Sequence, residues 1–91
     1  MPLVILTADV QDRASWERSF RTHGELFKAA GLGPMQYTVG ADNHVVMSTD
    51  TDDVSAYMDF IKSESTQAAM KNDGVKRDTV KVFVLDKEFA G

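Results

Sequence analysis

His23, Tyr37 and Tyr57 are the side chains of this 91-residue sequence suited to acid–base or ligand-orienting work, since there is no cysteine and only one other histidine, His44. His23 belongs to a repeat of bulky apolar residues: Trp16, Phe20, His23, Phe27 and Ala30 stand at i, i+4, i+7, i+11 and i+14. At ~100° per residue these positions fall in an arc of roughly 80°, one stripe of a helix. An imidazole set among Trp16, Phe20 and Phe27 is desolvated, which favours the neutral ring, and a neutral ring can take a proton. The same position has a plain structural reading, a core histidine satisfied by a backbone carbonyl or a side-chain oxygen of the sheet; an aliphatic residue would fill it at lower desolvation cost. Thr7 and Asp9, near the end of the first strand, are the sequence's candidate partners for the ring; equally, Asp9 simply terminates the strand. Either tyrosine hydroxyl could orient a phenol, quinone or carbonyl ligand while its ring adds apolar wall; alternatively each is a core residue with its hydroxyl at the surface.

Other chemistries lack their residues. Without cysteine there are no disulfides, thiolate nucleophiles, iron–sulfur clusters or Cys-type zinc sites. His23-Gly24-Glu25 matches the H-x-E of zinc deaminases only superficially, because their remaining ligands are cysteines. His44, beside a turn, is expected to be exposed, and no spacing supports a metal site. Asp50, Asp52 and Asp53 resemble part of a calcium loop without its Gly and Glu, so they read as a solvated helix start. Gly31-Leu32-Gly33 follows a helix instead of opening one and is a helix stop, not a dinucleotide fingerprint. Fourteen acidic against ten basic residues, a formal charge of −4, argue against a nucleic-acid backbone as partner. The apolar N-terminus has no basic region and is far shorter than a membrane span, so a cytoplasmic protein is expected.

The elements that must position these residues run strand, helix, strand, strand, helix, strand, within one domain spanning residues 1–91. Residues 3–10 form the first strand. Asp12 caps a helix reaching about Ala30, with Gly31 at the C′ position and Pro34 beyond it. Met35–Gly40 and His44–Thr51 flank the turn residues Gly40-Ala41-Asp42-Asn43 and make a hairpin. Val54, Tyr57, Met58 and Ile61 share one face of a second helix, which makes Tyr57 and Met58 candidate pocket walls. Ser63 and Ser65 are possible caps where that helix breaks near Lys62 and restarts to Asn72. The last strand is expected over Thr79–Asp86.

Two helices cover one face of a four-stranded antiparallel sheet, and the other face is normally polar. Here strands one and four, expected at the centre, are apolar on both faces: Leu3 and Ile5 oppose Val4, Leu6 and Ala8, and Phe83 and Leu85 oppose Val80, Val82 and Val84. A second layer is needed, most simply the same sheet of a second copy in a homodimer.

Trp16-x3-Phe20-x2-His23, Lys28-Ala29-Ala30-Gly31 and the run from Ser63 through Ala69-Met70 to Gly74-Val75 resemble short members of the dimeric α+β barrel superfamily, over roughly residues 3–88. The resemblance implies an α+β, ferredoxin-like βαββαβ fold whose sheets pair into a barrel. It also implies relatedness to antibiotic-biosynthesis monooxygenases and polyketide cyclases, and a small organic ligand held in a cleft between helices and sheet. Trp16, Phe20, His23 and Phe27 would line that cleft. Such enzymes work without a bound cofactor when the substrate supplies the electrons. Heme-degrading members combine an Asn near the first strand with a Trp and a His in the second half; here Asn occurs only at 43 and 72 and the sole Trp is on helix one, so heme degradation is disfavoured. The expectation is a monooxygenase-like or cyclase-like enzyme acting on an aromatic or carbonyl compound, with His23 and Tyr37 as candidate catalytic groups. The alternative is a non-catalytic barrel for ligand carriage or stress response.

Overall fold

The structure is a computed structural model that describes residues 3–91. Its elements are β1 (Leu3–Val10), α1 (Arg13–Phe20), α2 (Gly24–Ala29), β2 (Met35–Val39), β3 (His44–Asp50), α3 (Val54–Lys62), α4 (Glu64–Asn72) and β4 (Val75–Leu85). The four strands form one antiparallel sheet in the order β2-β3-β1-β4. This is the expected ferredoxin-like α+β fold, with each helix divided in two.

The alternation of β1 decides the layers. Val4, Leu6, Ala8 and Val10 are buried toward the helices, where they meet Trp16, Val45 and Tyr57 in the core. Leu3, Ile5, Thr7 and Asp9 point to the opposite face. Register places Ile5 between Ser48 and Phe83, and Leu3 between Asp50 and Leu85. Phe83 and Leu85 are about half exposed, at 48% and 50%. The uncovered face therefore carries an apolar patch, Leu3, Ile5, Val46, Phe83 and Leu85, among polar residues, Thr7, Ser48, Asp50 and Lys81, and is less apolar than expected; β3 rather than β4 is the second central strand. β4 lies at the edge because the chain returns from α4 to the free side of β1. It also begins at Val75, earlier than its alternation predicts. The residues after Val75, Lys76-Arg77-Asp78, are charged as suits an edge, and a bulge opposite Thr7–Asp9 breaks the pattern. Thr79 holds that bulge: its Oγ1 accepts from Asp9 N–H at 2.8 Å and donates to the Lys76 carbonyl.

Capping follows the sequence closely. Asp12 accepts from Ser15 N–H at 2.9 Å, and hydrogen bonds to the Ser15 backbone and side chain hold its carboxyl below the ordinary range. Ser63 separates α3 from α4, donating to the Phe60 carbonyl and accepting from Thr66 N–H. The hairpin turn ends on Asn43 at φ 63°; its carbonyl accepts from Val10 N–H and its side-chain oxygen from Arg13 N–H.

The helix expected over residues 12–30 breaks at Arg21–His23. Thr22 and His23 donate N–H bonds back three residues, to Ser19 and Phe20, and Thr22 Oγ1 also bonds the Ser19 carbonyl. The β-branched Thr22 thus competes for the helix's own acceptors, and Gly24 adds little helical preference to resist. α2 then closes with Gly31 at φ 77°, donating to the Lys28 carbonyl, while Leu32 donates to that of Phe27.

Candidate active site

The break between α1 and α2 is what sets the direction of His23. It occupies the N-cap position of α2 with φ −96° and ψ 17° and makes no side-chain capping bond. Its ring reaches instead across to the end of α4, where Nε2 lies 2.9 and 3.1 Å from the two carboxylate oxygens of Asp73. A carboxylate only accepts, so Nε2 carries the hydrogen and donates it to Asp73. Among the described residues Nδ1 has no hydrogen-bond partner.

Asp73 is the better buried of the two, its side chain 4% exposed against 20% for His23. It is the C-cap of α4, and Gly74 at φ 79° swings the chain directly into β4. Asn72 Nδ2 donates a further bond to Asp73 Oδ1 at 3.3 Å. Asp73 escapes sequence reasoning because Asn72-Asp73-Gly74 already makes sense as a helix stop. One signal was present: a carboxylate at a helix C-terminus opposes the macrodipole and calls for a cationic or donor partner.

The expected partners of His23 lie elsewhere. Asp9 faces the opposite side of the sheet and accepts from His44 Nδ1–H at 2.7 Å, with both side chains nearly half exposed. Thr7 shares that outer face. His44 is exposed, as expected. Among the described residues no three His, Asp or Glu side chains are grouped to hold a metal ion.

His23 and Asp73 border an apolar cavity of about 60 Å³ between sheet and helices. Trp16, Phe20 and Phe27 line it, joined by Leu6 and Ala8 from β1 and by Phe60, Ile61 and Ala69 from α3 and α4. Trp16 stacks on Phe20 with ring centroids 4.7 Å apart, and Phe20 contacts Phe27 at 5.4 Å. Tyr57 and Met58 do not line this cavity; the last turn of α3 presents Phe60 and Ile61 there instead. Tyr57 is nonetheless buried, and burial pushes its hydroxyl up to about 12.

Tyr37 lies on the other side of the Phe20–Phe27 pair. Its hydroxyl donates to Glu17 Oε2 at 2.5 Å and accepts from Arg21 Nε–H at 3.0 Å. The hydrogen bond to Tyr37, reinforced by the negative charge of Glu17, raises Arg21 above the ordinary arginine value. Tyr37 and Arg21 border an open groove of about 440 Å³ in which Phe20 and Phe27 recur as walls. These two rings thus form the partition between an inner cavity and an outer groove. An apolar space of ~150 Å³ is what accommodates benzene; at about 60 Å³ the inner cavity is smaller than that.

Several solved structures share this architecture. A Bordetella bronchiseptica protein provisionally named an antibiotic biosynthesis monooxygenase aligns with a TM-score of 0.75 at 21% identity, covering 97% of each chain. SnoaB, a cofactor-independent oxygenase from Streptomyces nogalater, aligns at 0.70 and 14% identity, covering 98% of this chain and 94% of its own. A Caulobacter crescentus protein with the same provisional name as the first aligns at 0.68 and 18% identity, covering 97% of this chain and 90% of its own. No protein-family model matches the chain, and no curated sequence is significantly similar to it. At these identities the likeness is one of fold: the chain has the ferredoxin-like α+β fold found in antibiotic biosynthesis monooxygenase-like proteins.

Proposed function

We propose that the protein is a small-molecule enzyme of the monooxygenase-like or cyclase-like kind, acting on an aromatic or carbonyl compound with His23 as its acid–base group. The observation that carries this reading is the His23–Asp73 pair at the border of an apolar cavity. Asp73 fixes the ring with Nε2–H inward, leaving Nδ1 to take a proton from a phenol or from a carbon beside a carbonyl. The carboxylate then faces the positive charge that the protonated ring carries. Trp16, Phe20 and Phe27 exclude water around the resulting anion, whose electrons are available to oxygen or to an internal electrophile. No cofactor is required for the proton transfer itself. Tyr37, with its hydroxyl held between Glu17 and Arg21, orients the ligand from the groove side.

The working unit in this reading is a homodimer. Leu3, Ile5, Val46, Phe83 and Leu85 lie on the uncovered sheet face, and a second copy of that face is the simplest cover.

The test is solvent-deuterium exchange at the acidic carbon of 2-tetralone, followed by NMR, together with oxygen uptake on a hydroquinone-type phenol. Exchange or uptake above buffer that disappears in His23→Gln is expected. Neither activity, or equal activity in His23→Gln, overturns the acid–base role. The small inner volume beside a roomy outer groove favours a second reading, a non-catalytic barrel that carries a ligand in that groove or serves a stress response; binding of such compounds without exchange or uptake is its signature.

A further inference from the structure

We propose that the outer groove is a binding site for a small amphipathic carboxylate, an aromatic or alkyl acid, with Arg21 as its anchor. The inference rests on the reading that the protein takes a small organic molecule, and it adds the charge of that molecule and the place where its acid group sits.

Three observations support it. The groove is large enough for a bicyclic ring, at about 440 Å³, and its walls are mainly the side chains of Phe20, Phe27, Leu32 and Met35. Its only charged lining residues are cations, Arg21 and Lys28, and the carboxylates that approach them, Glu17 and Glu25, lie outside the lining. Lys28 is drawn only loosely toward Glu25, 4.0 Å away with both side chains largely exposed.

The third observation is how Arg21 is held. Its Nε donates to Tyr37, whose hydroxyl in turn donates to Glu17, and the nearest approach of Glu17 to Arg21 is 4.0 Å, again at Nε. The two terminal nitrogens of the guanidinium make no hydrogen bond among the described residues. A guanidinium fixed through Nε with both terminal nitrogens open is the arrangement that takes a carboxylate with two parallel hydrogen bonds. Glu17 and Tyr37 are then positioning residues, and the glycines extend the space: a Cβ at Gly24 or Gly33 meets nothing within 4 Å. A ligand anchored here lies against the Phe20–Phe27 partition, with the His23 cavity behind it.

The experiment compares 2-naphthoate with 2-naphthamide at one pH and ionic strength, using the fluorescence of Trp16, which stacks on the groove wall Phe20. The acid is expected to bind about tenfold more tightly than the amide, a preference that charge-assisted paired hydrogen bonds supply. Arg21→Gln is expected to abolish the preference, and Lys28→Gln to reduce it. Arg21 is 72% exposed, so its replacement leaves the core intact. Equal affinity for acid and amide, a preference that survives in Arg21→Gln, or no saturable binding of 2-naphthoate at millimolar concentration overturns the proposal. Binding is read without turnover: Arg21-dependent capture with no proton exchange keeps the groove and refutes the acid–base role. Exchange of neutral 2-tetralone with no acid preference does the reverse.

Discussion

His23 and Asp73, fifty residues apart, meet through Nε2 at 2.9 and 3.1 Å and join the break in the first helical segment to the end of the last helix. Asp73 sits where the α4 carbonyls concentrate negative potential, and its side chain is nearly sealed from water. Such a placement is costly for a carboxylate alone, so the pair matters to stability as well as to chemistry.

A double-mutant cycle separates the two partners. His23→Leu leaves the buried Asp73 with only the long Asn72 contact and should cost ~3–5 kcal/mol, the range for breaking one side of a buried pair. His23→Leu/Asp73→Leu should cost less than the sum of the single changes, by ~1–3 kcal/mol in urea unfolding. A coupling below about 0.5 kcal/mol would show that the pair does not form in solution.

Alkaline stability should depend on Tyr57. Its hydroxyl titrates near 10 in the unfolded chain and about 12 in the folded one, because burial disfavours the phenolate. The folded value is the higher, so the contribution is complete below pH 10 and is lost as pH rises through 12. Tyr57→Phe should therefore flatten the fall in urea midpoint between pH 9 and 11.5 relative to the parent. An unchanged slope would place Tyr57 in contact with water.

The open sheet face predicts its own mutant. At micromolar concentration sedimentation should give twice the mass of one chain, and Phe83→Asp should halve it with the far-ultraviolet circular dichroism retained. Phe83 is 48% exposed on an edge strand, so the substitution affects the cover and not the core. A parent protein that sediments as a monomer removes the dimer from the proposed function.

What the sequence disclosed and what it hid follow from the range of the forces involved. Gly31, Ser63 and the Gly40–Asn43 turn act within a few residues, so caps and turns were legible from local spacing. The break at Thr22 was not, because Trp16, Phe20, His23 and Phe27 stay in helical phase across it and the stripe looks continuous. The start of β4 was hidden by Lys76-Arg77-Asp78, whose charges reflect an edge position that only the sheet order reveals. Asp73 was the largest omission: its partner lies fifty positions away, and a turn accounts for it locally. Tyr37 carried a signal for its face through alternation, but its capture by Glu17 and Arg21 depends on how α1 docks on β2.

Filling the inner cavity distinguishes a chemical site from a packing defect. Ala69 lines the space from α4, and Ala69→Val adds two carbons to it. An empty volume of about 60 Å³ costs ~1.5 kcal/mol at the rate found for engineered core cavities, so partial filling should offset the lower helix preference of valine and leave stability unchanged or higher. If catalysis uses the space beside His23, the same change should lower proton exchange at least tenfold while 2-naphthoate still binds in the groove. Full activity in a protein of raised stability would mean that the cavity is a packing gap and that the reacting atoms lie outside it.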